Sequence, residues 1–331
     1  MSDLLVGALS VLLATNRPAA VSNYVTLKTG VIPAFRSGAD TTDPRYPLLR
    51  KVMEEDDAAE DEIGRWLDER QKLDPNDPRT ESSLAFHRRV DERNARVRAQ
   101  YEDLLRLHPD YAAARNAFAT FLEDTGDEEG AILQLEKASE LDPKDPAVWN
   151  NLANHYGHIG PVHRAFSAYE RAIALNPFEP VYRYNLGTVV FLFRKDAMAH
   201  YQCDESAVFR RALDLYREAR RLRPHNFRYA FDLAQTYYGV KPEPASTPEE
   251  RAAAEKRLAN EALAAWRDAL DLADNDRDRD GISLHFARWH IRLRDFDTAR
   301  HHLLSVTNSE HLELKARLLR NLDEKSASKK P

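Results

Sequence analysis

Four prolines set the frame of this chain. Pro75, Pro109, Pro143 and Pro177 stand 34 residues apart, and each follows a leucine two positions earlier: Leu73, Leu107, Leu141 and Leu175. Leu222 and Pro224 repeat the pair 47 residues on, so that interval carries 13 extra residues. Proline cannot donate to a helix ladder and its ring clashes with the preceding turn, so each pair marks the end of a helix. A fixed interval of this length describes an array of one supersecondary unit, each copy burying its apolar face against the next.

Within the interval the residue types recur. Counted from the third residue after each preceding proline, position 8 is small (Ala119, Ala153, Gly187, Ala234) and position 20 is alanine (Ala131, Ala165, Ala212). Position 24 is large (Leu135, Tyr169, Tyr216) and position 27 is again alanine (Ala138, Ala172, Ala219). Small residues at 8, 20 and 27 let two antiparallel helices approach closely, while large ones at 4, 7, 11 and 24 fill the gaps. Trp149, Leu152, Tyr156 and Tyr169 are the large set of the most regular unit.

That unit, "PAVWNNLANHYGHIGPVHRAFSAYERAIALNP", resembles the tetratricopeptide repeat family through Trp149, Leu152, Tyr156, Ala165, Tyr169, Ala172 and Pro177. The resemblance covers residues 78 to about 307. It implies an all-α solenoid, a right-handed superhelix of antiparallel helix pairs with a concave face. The organisation that follows has an apolar helical extension over 1–43, a degenerate helical repeat over 44–77 and the array over 78–307. Insertions interrupt the array near 194–209 and 240–259, the second expected to hold a loop and an extra helix that starts at Thr247, Pro248 and Glu250. A capping helix over 308–322 and a flexible tail over 323–331 close the chain.

Composition fits this reading. Apolar residues make up 43% and charged residues 31%, enough for a core with much solvated helix surface, and eleven glycines are few for an all-β fold. The net charge of -6 argues against nucleic acid or an anionic membrane as partner. The single cysteine, Cys203, has no intrachain disulfide partner, which fits a reducing, cytoplasmic setting. The apolar stretch "LLVGALSVLLA", residues 4–14, is too short to span a bilayer, which takes roughly 20 residues, and no basic residue precedes it. It reads as a buried helix that docks on the chain or on another copy; export or membrane association through it is the alternative.

Three stretches suggest chemistry. His155, His158 and His163 cluster near Gly160 and Pro161, but the first two belong to one helix and the third to the next, with no carboxylate at metal spacing. "DRDRDG" places Asp276, Asp278 and Asp280 before Gly281 like the opening of a calcium loop, yet the twelfth loop position is Ala287 instead of a bidentate acid. The simpler reading is an acidic turn between repeats. Arg210, Arg211, Arg217, Arg220, Arg221, Arg223 and Arg228 form a basic run whose aromatic interleaving is thin, so it reads as solvated helix surface. No Gly-rich phosphate loop, nucleophile elbow or Cys-His pair at catalytic spacing is present, and no cofactor is expected.

The family resemblance also implies that the first helix of each unit lines a groove through positions 2, 5, 6, 9, 12 and 13. In this chain these supply Asn116, Asn150, Asn151, Asn154 and His158, then Tyr184, Asn185 and Phe191, then Arg228, Phe231, Asp232, Gln235 and Tyr238. Asparagines carry both donor and acceptor, so a ladder of them suits an extended peptide backbone. Asn116 and Asn150 stand at a position where family members that clamp a terminal carboxylate carry lysine, which argues against that ligand. The expectation is a non-catalytic scaffold that binds a peptide or protein in this groove. In that case Asn151→Ala with Asn185→Ala weakens partner binding without lowering the melting temperature. The alternative is an assembly subunit that forms homo-oligomers or docks through residues 4–14, and light scattering on a chain lacking residues 1–43 separates the two.

Overall fold

A computed structural model describes residues 40–73 and 81–327. The apolar stretch 4–14, the Leu73–Pro75 turn beyond Leu73 and the last four residues lie outside the described residues. The described chain is helical throughout, with fourteen α-helices and one short 3₁₀ turn. It divides into two compact units, residues 1–177 and 178–331.

The first unit holds α1 (Tyr46–Lys72), α2 (Ser83–Leu107), α3 (Ala112–Asp124), α4 (Glu128–Leu141), α5 (Pro146–His158) and α6 (Val162–Leu175). They pack as hairpins α1/α2, α3/α4 and α5/α6. The stretch 44–77 is mostly the single helix α1, whose hairpin partner is α2. Both are long, 27 and 25 residues, and are bound together by Arg93 bridging Glu55 and Glu62 and by the Tyr101 hydroxyl donating to Asp56 at 3.1 Å.

Leu107, Leu141 and Leu175 here, and Leu222 in the second unit, end their helices, while Leu73 stands one residue past the end of α1 at Lys72. The side chain at position 4 of the following helix then closes the proline turn. Arg115 donates to the Pro109 carbonyl at 2.6 Å, and the Trp149 indole donates to the Pro143 carbonyl at 3.0 Å. Between α3 and α4 the chain reverses through Gly126 at φ 84, a conformation open to glycine at little cost, and Asp127 caps α4 by accepting from Gly130 N at 2.9 Å. Asp145 caps α5 in the same manner, with Pro146 at the first helical position.

The second unit holds α7 (Pro180–Leu192), α8 (Arg194–Tyr201), α9 (Glu205–Leu222), α10 (Phe227–Thr236), α11 (Pro248–Leu272), α12 (Asp276–Arg292), α13 (Phe296–Ser305) and α14 (Leu312–Ala327). The hairpins are α7/α9, α10/α11 and α12/α13, with α14 packed against α12 and α13 through Leu322. The short helix α8 occupies the first interruption, and Asp204 caps the helix after it. The second interruption departs from expectation. Thr247 and Glu250 do form a reciprocal capping box, but the helix they open runs unbroken into α11, so the extra residues lengthen a repeat helix instead of making a separate one.

The alanines of positions 8, 20 and 27 are the points of closest packing: Ala119, Ala131, Ala138, Ala153, Ala165, Ala172, Ala212, Ala219 and Ala234 are all 0% exposed. At Gly187, the one glycine of position 8, an added Cβ would lie 3.3 Å from the Tyr216 ring. Ala262, Trp266 and Ala269 on α11 repeat the small–large–small spacing of Ala165, Tyr169 and Ala172 and are equally buried. The interruption hides this match from the 34-residue frame. Ala172→Phe is expected to overpack the α5/α6 hairpin and cost about 1–3 kcal/mol, measured by urea denaturation of the full chain.

Candidate functional site

The asparagines expected to line a groove are buried. Asn116, Asn150, Asn151 and Asn154 are at most 4% exposed, and Asn116, Asn151 and Asn154 bond between helices. The Asn151 side-chain amide on α5 donates to Asn116 Oδ1 on α3 at 2.9 Å, and Asn150 donates to Asn151 Oδ1 at 3.3 Å. Asn154 accepts from the Tyr169 hydroxyl on α6 at 2.7 Å. The amides that suited a peptide backbone are therefore engaged with neighbouring helices. Asn185 and Tyr184 on α7 are also fully buried. His158 is half-buried, and burial together with His155 pushes its imidazole down to about 4.

The metal candidates resolve in the same direction. His155 and His158 lie on α5 and His163 on α6, and His155 Nδ1 stands 3.4 Å from Glu123. "DRDRDG" is not a turn. Asn275 caps α12 by accepting from Asp278 N at 2.9 Å, so Asp276, Asp278 and Asp280 fall in the first helical turns and do not converge. Asp280 instead accepts from the Thr307 and Asn308 amides, both at 2.7 Å, and so ties the α13–α14 connection to α12. Among the described residues no group of three or more His, Cys, Asp or Glu could hold a metal ion. The basic run is used in packing and pairing: Arg220 meets Asp268 at 2.7 Å, Arg217 meets Asp214, and Arg211 lies 3.8 Å over the Tyr201 ring.

What remains of the expected groove is the face of α10 and the turn after it. Arg228, Phe231 or Asp232, Gln235 and Tyr238 are linked by helical three- and four-residue steps. Gln235 and Tyr238 are exposed, and the other three are half-buried. Behind Arg228 stands a short polar chain. Tyr184 donates to Asp232 at 2.5 Å and accepts from Arg228 Nε at 2.7 Å, while its ring stacks on Tyr229 at 4.7 Å. Burial raises the Asp232 carboxyl, and the Tyr184 hydrogen bond and the Arg228 charge oppose that rise. Phe191 turns away from this face toward Phe209, 5.6 Å between ring centroids.

Behind Phe231 and Tyr238 stands an aromatic stack. Phe231 meets the Trp266 ring edge-on at 5.2 Å, Trp266 lies parallel to His285 at 3.9 Å, and Tyr238 stacks on Trp289 at 5.2 Å. The Tyr238 hydroxyl is 3.0 Å from His285 Nδ1. The Trp266 and Trp289 indole nitrogens are buried and have no hydrogen-bond partner among the described residues. His285 and Arg288 of α12 complete the face, and the sequence reading did not name them. The signal was present: in the unit counted from Asp280 they occupy positions 6 and 9, the same groove positions as Asp232 and Gln235.

Several solved structures match the chain at low identity. YrrB, described as a TPR protein with an unusual peptide-binding site, matches with 16% identity and a TM-score of 0.49, over 66% of this chain and 97% of its own. PilF of Pseudomonas aeruginosa matches with 18% identity and a TM-score of 0.48, over 71% of this chain and 93% of its own. MamA matches with 22% identity and a TM-score of 0.41, over 56% of this chain and 86% of its own. No family model and no curated protein matches the chain. Among the described residues no helix is long and apolar enough to cross a membrane.

Two outcomes follow from the buried groups. Asn151→Ala removes the donor to Asn116 and is expected to destabilise the chain by about 1–3 kcal/mol, seen as a lower urea midpoint, where an exposed groove residue would leave it unchanged. His285 has the opposite character from a surface histidine. Burial, with Arg288 and His311 nearby, pushes it from 6.5 down to about 3. Above about 6.5 both folded and unfolded forms are neutral there. Below that the unfolded form takes up the proton first, so stability falls as pH drops toward 3. His158 contributes with the same sign. Urea midpoints of His285→Phe are expected to fall less steeply than the parent's between pH 6.5 and 4.

Proposed function

We propose that this chain is a non-catalytic scaffold that binds a peptide or protein partner on the face built by α10 and α12. The observation that carries this reading is the row Arg228, Gln235 and Tyr238: Arg228 is held from behind by Tyr184 and Asp232 and Tyr238 by His285 and Trp289, with Gln235 exposed between them. A side chain locked from behind loses little further freedom on binding, so its contacts are retained as affinity. Gln235 offers an amide for backbone hydrogen bonds, each worth only ~0.5–1.5 kcal/mol net. The larger share therefore falls to the rings of Phe231 and Tyr238, whose partly exposed faces give a partner side chain apolar area to cover.

The reading separates recognition from architecture along the chain. The asparagines of the first unit hold helices together, and the face of α10 recognises. Tyr238→Ala combined with Gln235→Ala is expected to abolish recovery of a partner by affinity capture and mass spectrometry. The urea midpoint should fall only by what the Tyr238 ring contacts supply. Asn151→Ala supplies the contrast, lowering the midpoint while the folded fraction retains the partner. Unchanged partner recovery by the Gln235 and Tyr238 double variant removes the proposal.

A further inference from the structure

The turn after α12 has a backbone that its residue does not favour. Arg294 adopts φ 59, in the left-handed region where a Cβ is crowded. The equivalent turn after α3 uses Gly126 at φ 84, and in both places an aspartate follows and caps the next helix. A glycine would relax the later turn, yet an arginine stands there. Strain kept where a common residue would remove it is a pointer to use.

Arg294 lines a cleft of about 460 Å³ between the end of α12 and α14. Arg288, Arg292 and Lys325 line it too, and no acidic residue does. The nearby carboxylates are committed elsewhere: Asp295 to His290 at 3.0 Å and to the Thr298 amide, and Asp323 to Arg300. Among the described residues Arg288, Arg292 and Arg294 form no ion pair. Arg292 is held in place by lying 5.1 Å over the Trp289 ring. Phe296 and Leu318 give the cleft an apolar floor. In a chain of net charge -6 this is a local concentration of like positive charge, which an anionic ligand relieves.

We propose that this cleft binds an acidic peptide segment of a protein partner, its carboxylates on the three guanidiniums and an apolar side chain on Phe296 and Leu318. Guanidinium groups match carboxylates through paired, parallel hydrogen bonds. The floor selects against a free inorganic anion, which would leave Phe296 and Leu318 wet, and the recess selects against a flat lipid surface. The proposal is independent of the α10 face, with which the cleft has only the neighbouring Arg288 in common.

The test uses the full chain and a fluorescein-labelled peptide of alternating aspartate and leucine, followed by anisotropy at low salt. Binding is expected to weaken steeply with added salt, and at least about tenfold in Arg292→Glu combined with Arg294→Glu. Arg294→Gly is the sharper variant. Its melting temperature should be no lower than the parent's, because the turn relaxes, while its affinity for the peptide falls severalfold. Affinity retained in both variants overturns the proposal. So does equal binding of a peptide with asparagine in place of aspartate. Phosphate displacing the peptide at equal affinity, or co-sedimentation with phosphatidylserine vesicles without any affinity for the peptide, also overturns it in favour of those ligands.

Discussion

The contact between two helices at an alanine is the constraint from which the rest follows. The residues at positions 8, 20 and 27 carry side chains no larger than a methyl group and the alanines there are fully buried, and Gly187 at position 8 lies against the Tyr216 ring at position 24, so paired helices can approach while the large residues fill the space around them. Such a contact tolerates little change in either direction, because a larger side chain has nowhere to go and a displaced helix opens a void. It sets where each helix must turn back, and the proline turns are the response. The Leu–Pro pair stops the second helix, and Arg115 or Trp149 reaches back from the next helix to hold the stopping point.

This explains why so much of the fold was legible. Small residues at fixed intervals and a proline after each leucine are local signals, and the helix ends at Leu107, Leu141, Leu175 and Leu222 follow directly from them. Legibility stopped where an insertion broke the count. Ala262, Trp266 and Ala269 pack like their counterparts, but the long N-terminal extension of α11 moves them out of frame. It also stopped at "DRDRDG", where alternate aspartates suggest a loop. Asn275 one residue earlier decides the matter by capping the helix, and a cap is a single side-chain hydrogen bond that alternation of charge does not reveal.

The candidate site was legible only in part, for a different reason. Helical periodicity states which residues share a face, not what lies against that face. Asn116, Asn150, Asn151 and Asn154 and the row from Arg228 to Tyr238 were identical in that respect, and only the positions of neighbouring helices separate them. Chemistry also misled. An amide that satisfies a peptide backbone satisfies another amide equally well, and Asn151 and Asn116 are close enough to do so. His285 and Arg288 fall at positions 6 and 9 of the following repeat, after an interruption that shifts the frame.

The unpartnered indoles behind Tyr238 carry a consequence of their own. Among the described residues Trp266 and Trp289 contribute ring area while their N–H groups find no acceptor, so the support they give this face is largely dispersive. Dispersive contacts have no preferred angle, and the Tyr238 hydroxyl against His285 adds a directional one. On the proposed reading, a face supported in this way accepts side chains of several shapes, and discrimination among them falls to directional groups such as the Arg228, Tyr184 and Asp232 chain beside it. Breadth of recognition and selectivity would then reside in different atoms of the same surface, and each could change in evolution without the other.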